Sequence, residues 1–145
     1  MIATHDPFDK HRKLRSPGMK RILVIDDDIR HDKMMSYLLI SKGFESFYAL
    51  SGSEAIEKIA SGEIKNPDII LMDIMMPGMN GFEAIAEIRK VPDLKTVPIV
   101  MMSAVATPEH IDKANELNVA DFIEKPFSPS DVIARINAVI EKAAN

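Results

Sequence analysis

The stretch Pro67-Asp68-Ile69-Ile70-Leu71-Met72-Asp73 constrains this chain most tightly. Four consecutive apolar residues lie between two acids. The run is too short for a helix and suits a strand buried on both faces, as in a parallel sheet covered by helices. Asp73 then stands at the strand's carboxyl end. It is followed by Ile74-Met75-Met76-Pro77-Gly78-Met79-Asn80-Gly81, a loop punctuated by proline and two glycines. Ligands of open parallel sheets bind outside the carboxyl ends of the strands. An acid placed there needs a charge partner or a chemical role.

The same pattern recurs three times. Arg21-Ile22-Leu23-Val24-Ile25-Asp26-Asp27-Asp28 runs apolar and ends on three carboxylates. Val97-Pro98-Ile99-Val100-Met101-Met102-Ser103 ends on a hydroxyl. Asp121-Phe122-Ile123-Glu124-Lys125-Pro126 ends on a lysine before a proline. If these strands are parallel and adjacent, their ends converge on an acidic cluster with one hydroxyl and one ammonium.

Helical patterns separate the strands. The first strand spans about Arg21 to Asp26. A helix continues to about Lys42, with Met34, Met35, Leu38 and Leu39 as its expected buried stripe and Gly43 as its stop. A second strand covers Ser46 to Leu50. Ser51-Gly52-Ser53-Glu54 has capping-box spacing, and Ala55, Ile56, Ile59 and Ala60 recur at helical intervals up to Gly62. A third helix runs from about Gly81 to Lys90, burying Phe82, Ile85 and Ile88. Thr107-Pro108 opens a fourth, burying Ile111, Ala114 and Leu117. The fifth strand covers about Ala120 to Glu124. Ser128-Pro129-Ser130-Asp131 opens the last helix, with Val132, Ile133, Ile136, Val139 and Ile140 as its stripe. Five strand–helix units predict an α/β fold, doubly wound, with a five-stranded parallel sheet in the flavodoxin-like order 2-1-3-4-5. Its switch point lies between the strands ending on Asp26-Asp27 and on Asp73.

Composition excludes other classes. At 145 residues the chain suits one domain with a sizeable core. A net charge of −4 offers no argument for nucleic acid or membrane binding. The absence of cysteine rules out disulfides and thiol chemistry. No apolar run approaches the roughly 18–20 residues that span a bilayer, and the first residues lack a signal peptide's order. The expected location is cytoplasmic. Residues 1–18 are polar and basic, read as a disordered leader or a tail added for expression, with the folded domain at 19–145. His5, His11, His31 and His110 form no ligand constellation and are expected at the surface.

Three carboxylates sharing a pocket raise one another's pKa unless compensated. A hard divalent cation compensates them, and Mg²⁺ takes one or two carboxylates together with phosphate oxygens. The cluster therefore reads as a site of Mg²⁺-assisted phosphoryl transfer, with one carboxylate as nucleophile.

Val24-Ile25-Asp26-Asp27, then Asp73 within Pro67 to Gly81, then Ser103-Ala104 and Lys125-Pro126-Phe127 resemble the receiver domain of two-component response regulators. The resemblance covers Met19 to the C-terminus. It implies that Asp73 is the phosphoacceptor, that Asp27 binds Mg²⁺ directly and Asp26 largely through water, and that Met75 supplies a backbone carbonyl. Mn²⁺ would be able to substitute. Ser103 and Ala104 would bind the phosphoryl group. Lys125 would pair with Asp73 across a cis Lys125–Pro126 bond, and Phe122 would take the aromatic switch position. Ser103 stands where threonine is common in the family. Asp28 is an extra acid, expected to face solvent at the start of the first helix.

The resemblance further implies a switch rather than an enzyme, one that catalyses only its own phosphorylation and autodephosphorylation. A histidine kinase or histidine phosphotransfer protein would load it. Output would leave through the fourth helix, fifth strand and fifth helix, as partner binding or self-association. Apolar Met75 and Val105 at the two positions that orient the hydrolytic water imply slow autodephosphorylation. The alternatives are an aspartate-nucleophile phosphatase and a phosphorylation-independent interaction module. The first lacks a second acid, because Met75 fills that position. The intact acid set argues against the second. Stand-alone receiver and part of a longer regulator both remain open.

Overall fold

The computed structural model describes residues 19–74 and 80–144. Among them, five strands form one sheet: β1 (Arg21–Ile25), β2 (Glu45–Ala49), β3 (Ile69–Asp73), β4 (Ile99–Ser103) and β5 (Asp121–Glu124). Their order is β2-β1-β3-β4-β5, with every neighbouring pair parallel. The helices are α1 (Ile29–Ser41), α2 (Gly52–Ala60), α3 (Gly81–Ile88), α4 (Pro108–Glu116) and α5 (Pro129–Ala144). This is the expected doubly wound order.

Alternation along each strand splits the core into two layers. Leu23, Ile25, Ile70, Met72, Ile99 and Met101 face one side and pack with Ala55, Ala84, Ile85, Ile88 and Ala114 of α2, α3 and α4. Ile22, Val24, Ile69, Leu71, Val100 and Met102 face the other, with Leu39 of α1 and Val132, Ile136 and Val139 of α5. Both faces of the central strands are therefore buried, which explains their continuous apolar runs.

The helix ends show why the chain turns where it does. After α1, the Gly43 N–H bonds to the Ile40 carbonyl at 3.1 Å and the Phe44 N–H to the Leu39 carbonyl at 3.0 Å. This Schellman arrangement requires Gly43 at φ +91°, a conformation that costs glycine nothing. Ser51 caps α2 by accepting from the Glu54 N–H, but the Glu54 carboxylate accepts from the Leu50 N–H instead of closing the box. Asn80 and Glu83 do form a complete capping box at α3, which the sequence reading passed over. Thr107 caps α4 ahead of Pro108, as expected.

Several stripe residues depart from expectation. Met34 is 67% exposed, and Ile111 and Ala60 also face outward. The face of α1 turned to the sheet runs Asp32, Met35, Ser36 and Leu39, so Met34 falls outside its arc. An acid at the head of that face hides the register from any search for apolar residues alone.

Candidate functional site

Strand register brings the site together. Ile25 pairs with Met72, so Asp26 and Asp73 leave adjacent strand ends. Asp73 pairs with Met102, which places Ser103 one residue beyond it. Ser103 pairs with Glu124, and Lys125 follows. Asp26, Asp27 and Asp73 each bring a carboxylate oxygen within 4.8 Å of the others. Asp26 and Asp73 are buried and Asp27 is exposed.

Lys125 supplies the nearest positive charge. Its ammonium donates to Asp73 Oδ2 at 3.3 Å and lies 4.0 Å from Asp26 Oδ2. The Lys125–Pro126 peptide is cis. Burial raises the Asp26 carboxyl above its ordinary pKa, and the Asp73 charge adds to this. The Asp28 backbone N–H, which donates to Asp26 Oδ1 at 2.9 Å, pulls the other way, as do Lys125 and His31.

Ser103 is fully buried. Its hydroxyl donates to the Val105 carbonyl and accepts from the Val105 N–H, both at 3.0 Å. Ala104, between them, is exposed beside the site. Phe122 is half-buried and packs against the α2–α3–α4 core layer. The Met75 carbonyl and residues 1–18 lie outside the described residues.

Asp28 is the N-cap of α1. Its carboxylate accepts from the Arg30 side chain and from the Arg30 backbone N–H, which together lower its pKa to about 2. His31, expected merely at the surface, is half-exposed but stands at the site: Nδ1 is 3.5 Å from Asp26 Oδ2 and Nε2 is 3.9 Å from Asp28 Oδ2. One helical turn beyond the acids brings it back over them, a spacing the sequence did contain.

Asp32 was missed altogether. It is 0% exposed, and neither carboxylate oxygen has a hydrogen-bond partner among the described residues. Desolvation pushes its pKa up to about 8, reinforced by Asp26, Glu54, Asp27 and Asp28. Its spacing, four residues before Ser36 and seven before Leu39, is the one available signal.

Beside the cluster lies a cavity of about 520 Å³ between α1 and the turn entering α5. Val24, Met34, Met35, Leu38, Met102 and Phe127 give it apolar walls, while Asp26, His31 and Lys125 stand at its polar edge.

The three converging acids suit Mg²⁺, which favours hard oxygen donors, and the single ammonium leaves negative charge for such an ion to neutralise. The profile of the family described as response regulator receiver domain matches residues 22–137. The chain belongs to this family. The receiver is 40% identical over 122 residues to the chemotaxis protein CheY of Thermotoga maritima, covering 83% of this chain and 97% of that protein. It is 37% identical over 129 residues to a transcriptional regulatory protein CpxR homolog of Haemophilus influenzae, covering 88% of this chain and 53% of the relative. The receiver thus spans about half the length of several of the curated relatives it matches. Among solved structures, chemotaxis protein CheY4 of Vibrio cholerae superposes with a TM-score of 0.77 at 30% identity, covering 83% of this chain and 98% of that one. A two-component response regulator from Clostridium difficile gives 0.78 at 26% identity, covering 88% and 100%. Receivers of this family are signalling switches of two-component systems. Among the described residues no helix is long and apolar enough to cross a membrane.

Proposed function

We propose that this receiver accepts a phosphoryl group on Asp73 from the phosphohistidine of a histidine kinase or phosphotransfer protein, in the cytoplasm. The observation that carries the reading is the convergence of Asp26, Asp27 and Asp73 with Lys125 bonded to Asp73. An Asp73 carboxylate oxygen attacks phosphorus, a P–O bond forms, the P–N bond breaks, and the imidazole leaves with the electron pair. Asp26, Asp27, Asp73 and the Met75 carbonyl would hold Mg²⁺, or Mn²⁺ in its place. Bound there, the ion would supply charge neutralisation for the phosphoryl oxygens. Lys125 shares that task, and the Ser103 hydroxyl and Ala104 N–H donate to the transferred group. The apolar cavity edged by Asp26 and Lys125 offers the donor protein a seat against α1.

Output follows from Ser103. To reach the phosphoryl group its hydroxyl must leave the Val105 carbonyl, which frees space for Phe122 to turn inward. The α4-β5-α5 face then changes shape and binds a partner protein or a second copy. Arg135 of α5 ties this face together, bonding the Phe122 carbonyl at 3.0 Å and Asp121 at 3.2 Å. The phosphoryl group must favour the active state by a few kcal/mol to dominate the ensemble. Nucleic acid and membrane are not partners of this domain on this reading.

Amide chemical shifts with and without beryllofluoride and Mg²⁺ test it. Wild type is expected to respond at Asp73, Phe122 and α4, and Ser103→Ala at the acid loops alone. Changes confined to the acid loops in wild type would sink the switch.

A further inference from the structure

We infer that His110 is a positioning residue that couples the Ser103 hydroxyl to α4 and α3, a second route out of the site that rests on the phosphoacceptor reading above. The Val105 carbonyl accepts two hydrogen bonds, one from Ser103 Oγ and one from His110 Nδ1, each at 3.0 Å. A carbonyl can only accept, so Nδ1 carries a proton here. Two lone pairs serve two donors, and the carbonyl is saturated.

His110 is anchored on both sides. It sits in the first turn of α4, where its own backbone N–H donates to Thr107 Oγ1 at 3.2 Å. Its ring packs on Phe82 of α3, with centroids 5.7 Å apart and planes tilted by 54°. Three elements therefore meet at one imidazole: the turn after β4, the start of α4, and the start of α3.

The consequence follows from counting donors. When Ser103 turns its hydroxyl to the phosphoryl group, the Val105 carbonyl loses one donor and keeps the other. His110 holds the carbonyl to α4, so the turn carries the helix with it instead of swinging alone. Phe82 follows through ring contact and carries the shift to α3. Without His110 the turn can respond while α4 keeps only the weaker route through Phe122. None of this requires the ring to change its charge, since neutral Nδ1–H and imidazolium both donate.

Beryllofluoride with Mg²⁺ is the probe, read by amide and imidazole nitrogen shifts. In wild type the His110 ring nitrogens should show a protonated Nδ1 and should move on addition. In His110→Ala, Ser103 and Phe122 should respond as in wild type, while Phe82 and residues 107–111 fall to less than roughly half the wild-type change. His110→Asn, whose amide can donate to the same carbonyl, should restore most of it. A full α4 response in His110→Ala would overturn the inference and leave the phosphoacceptor reading intact. Silence at Asp73 in wild type would overturn both.

Discussion

Lys125 donates its ammonium to the carboxylate of Asp73 at 3.3 Å, although the two residues are 52 positions apart in the chain. The fold makes that contact by leading β3 and β5 to the same edge of the sheet, with β4 between them. Lys125 also lies 4.0 Å from Asp26, so one cation serves two buried acids. Its replacement by glutamine removes the positive charge nearest the incoming phosphoryl oxygens. Labelling of Asp73 by acetyl phosphate at saturating Mg²⁺ should slow by at least about tenfold. A wild-type rate would mean that the contact is structural alone.

Metal binding should depend on Asp27. It is the exposed member of the three-acid cluster and therefore free to reorient towards an ion. Mg²⁺ should bind loosely without a phosphoryl group, because few fixed protein ligands hold it. Asp27→Ala should remove most of that binding in a calorimetric titration. Unchanged affinity would place the ion elsewhere.

Asp32 should make stability fall as pH rises. Its pKa is raised from 3.8 to about 8 in the folded chain, so the native state holds a proton that the unfolded state gives up first. The stabilising contribution is complete below the ordinary carboxylate range and is lost as pH climbs towards about 8. Asp32→Asn removes the charge with little change in shape. Its melting temperature should exceed that of wild type at about pH 8, and the gap should narrow as pH falls and close only near about pH 4. Parallel curves for the two proteins would show that the carboxyl finds compensation.

Much of this was legible beforehand because parallel strands buried on both faces leave unbroken apolar runs. The polar residue ending each run then marks the site, as at Asp26, Asp73, Ser103 and Lys125. Asp32 was hidden because an acid heads the buried face of α1, and a search for apolar periodicity steps over it to Met34. His31 and His110 were assigned to the surface because the four histidines form no ligand constellation in the sequence. Their partners, Asp26 and the Val105 carbonyl, become visible only once the helices are seated. The Asn80–Glu83 box was obscured by the loop residues leading into it.

Gly81 sets the distance between α3 and the phosphoacceptor. A Cβ there would lie 2.7 Å from the Asp73 carbonyl oxygen and 2.8 Å from Ile74 Cα, both backbone atoms that cannot swing aside. The Gly81 N–H also donates to the Ile74 carbonyl at 2.6 Å. Gly81→Ala should destabilise the fold by about 2 kcal/mol in urea melts and slow phosphorylation by displacing Asp73. Wild-type behaviour in both would mean that α3 sits farther from β3.

The central claim is that Asp73 is the phosphorylated carboxylate. Intact-mass measurement of the chain after incubation with acetyl phosphate and Mg²⁺ tests it most directly. Wild type should gain the mass of a single phosphoryl group, fail to gain it when the metal is chelated beforehand, and gain none as Asp73→Asn. Undiminished labelling of Asp73→Asn would contradict the account, because the phosphoryl group would then be carried by another residue.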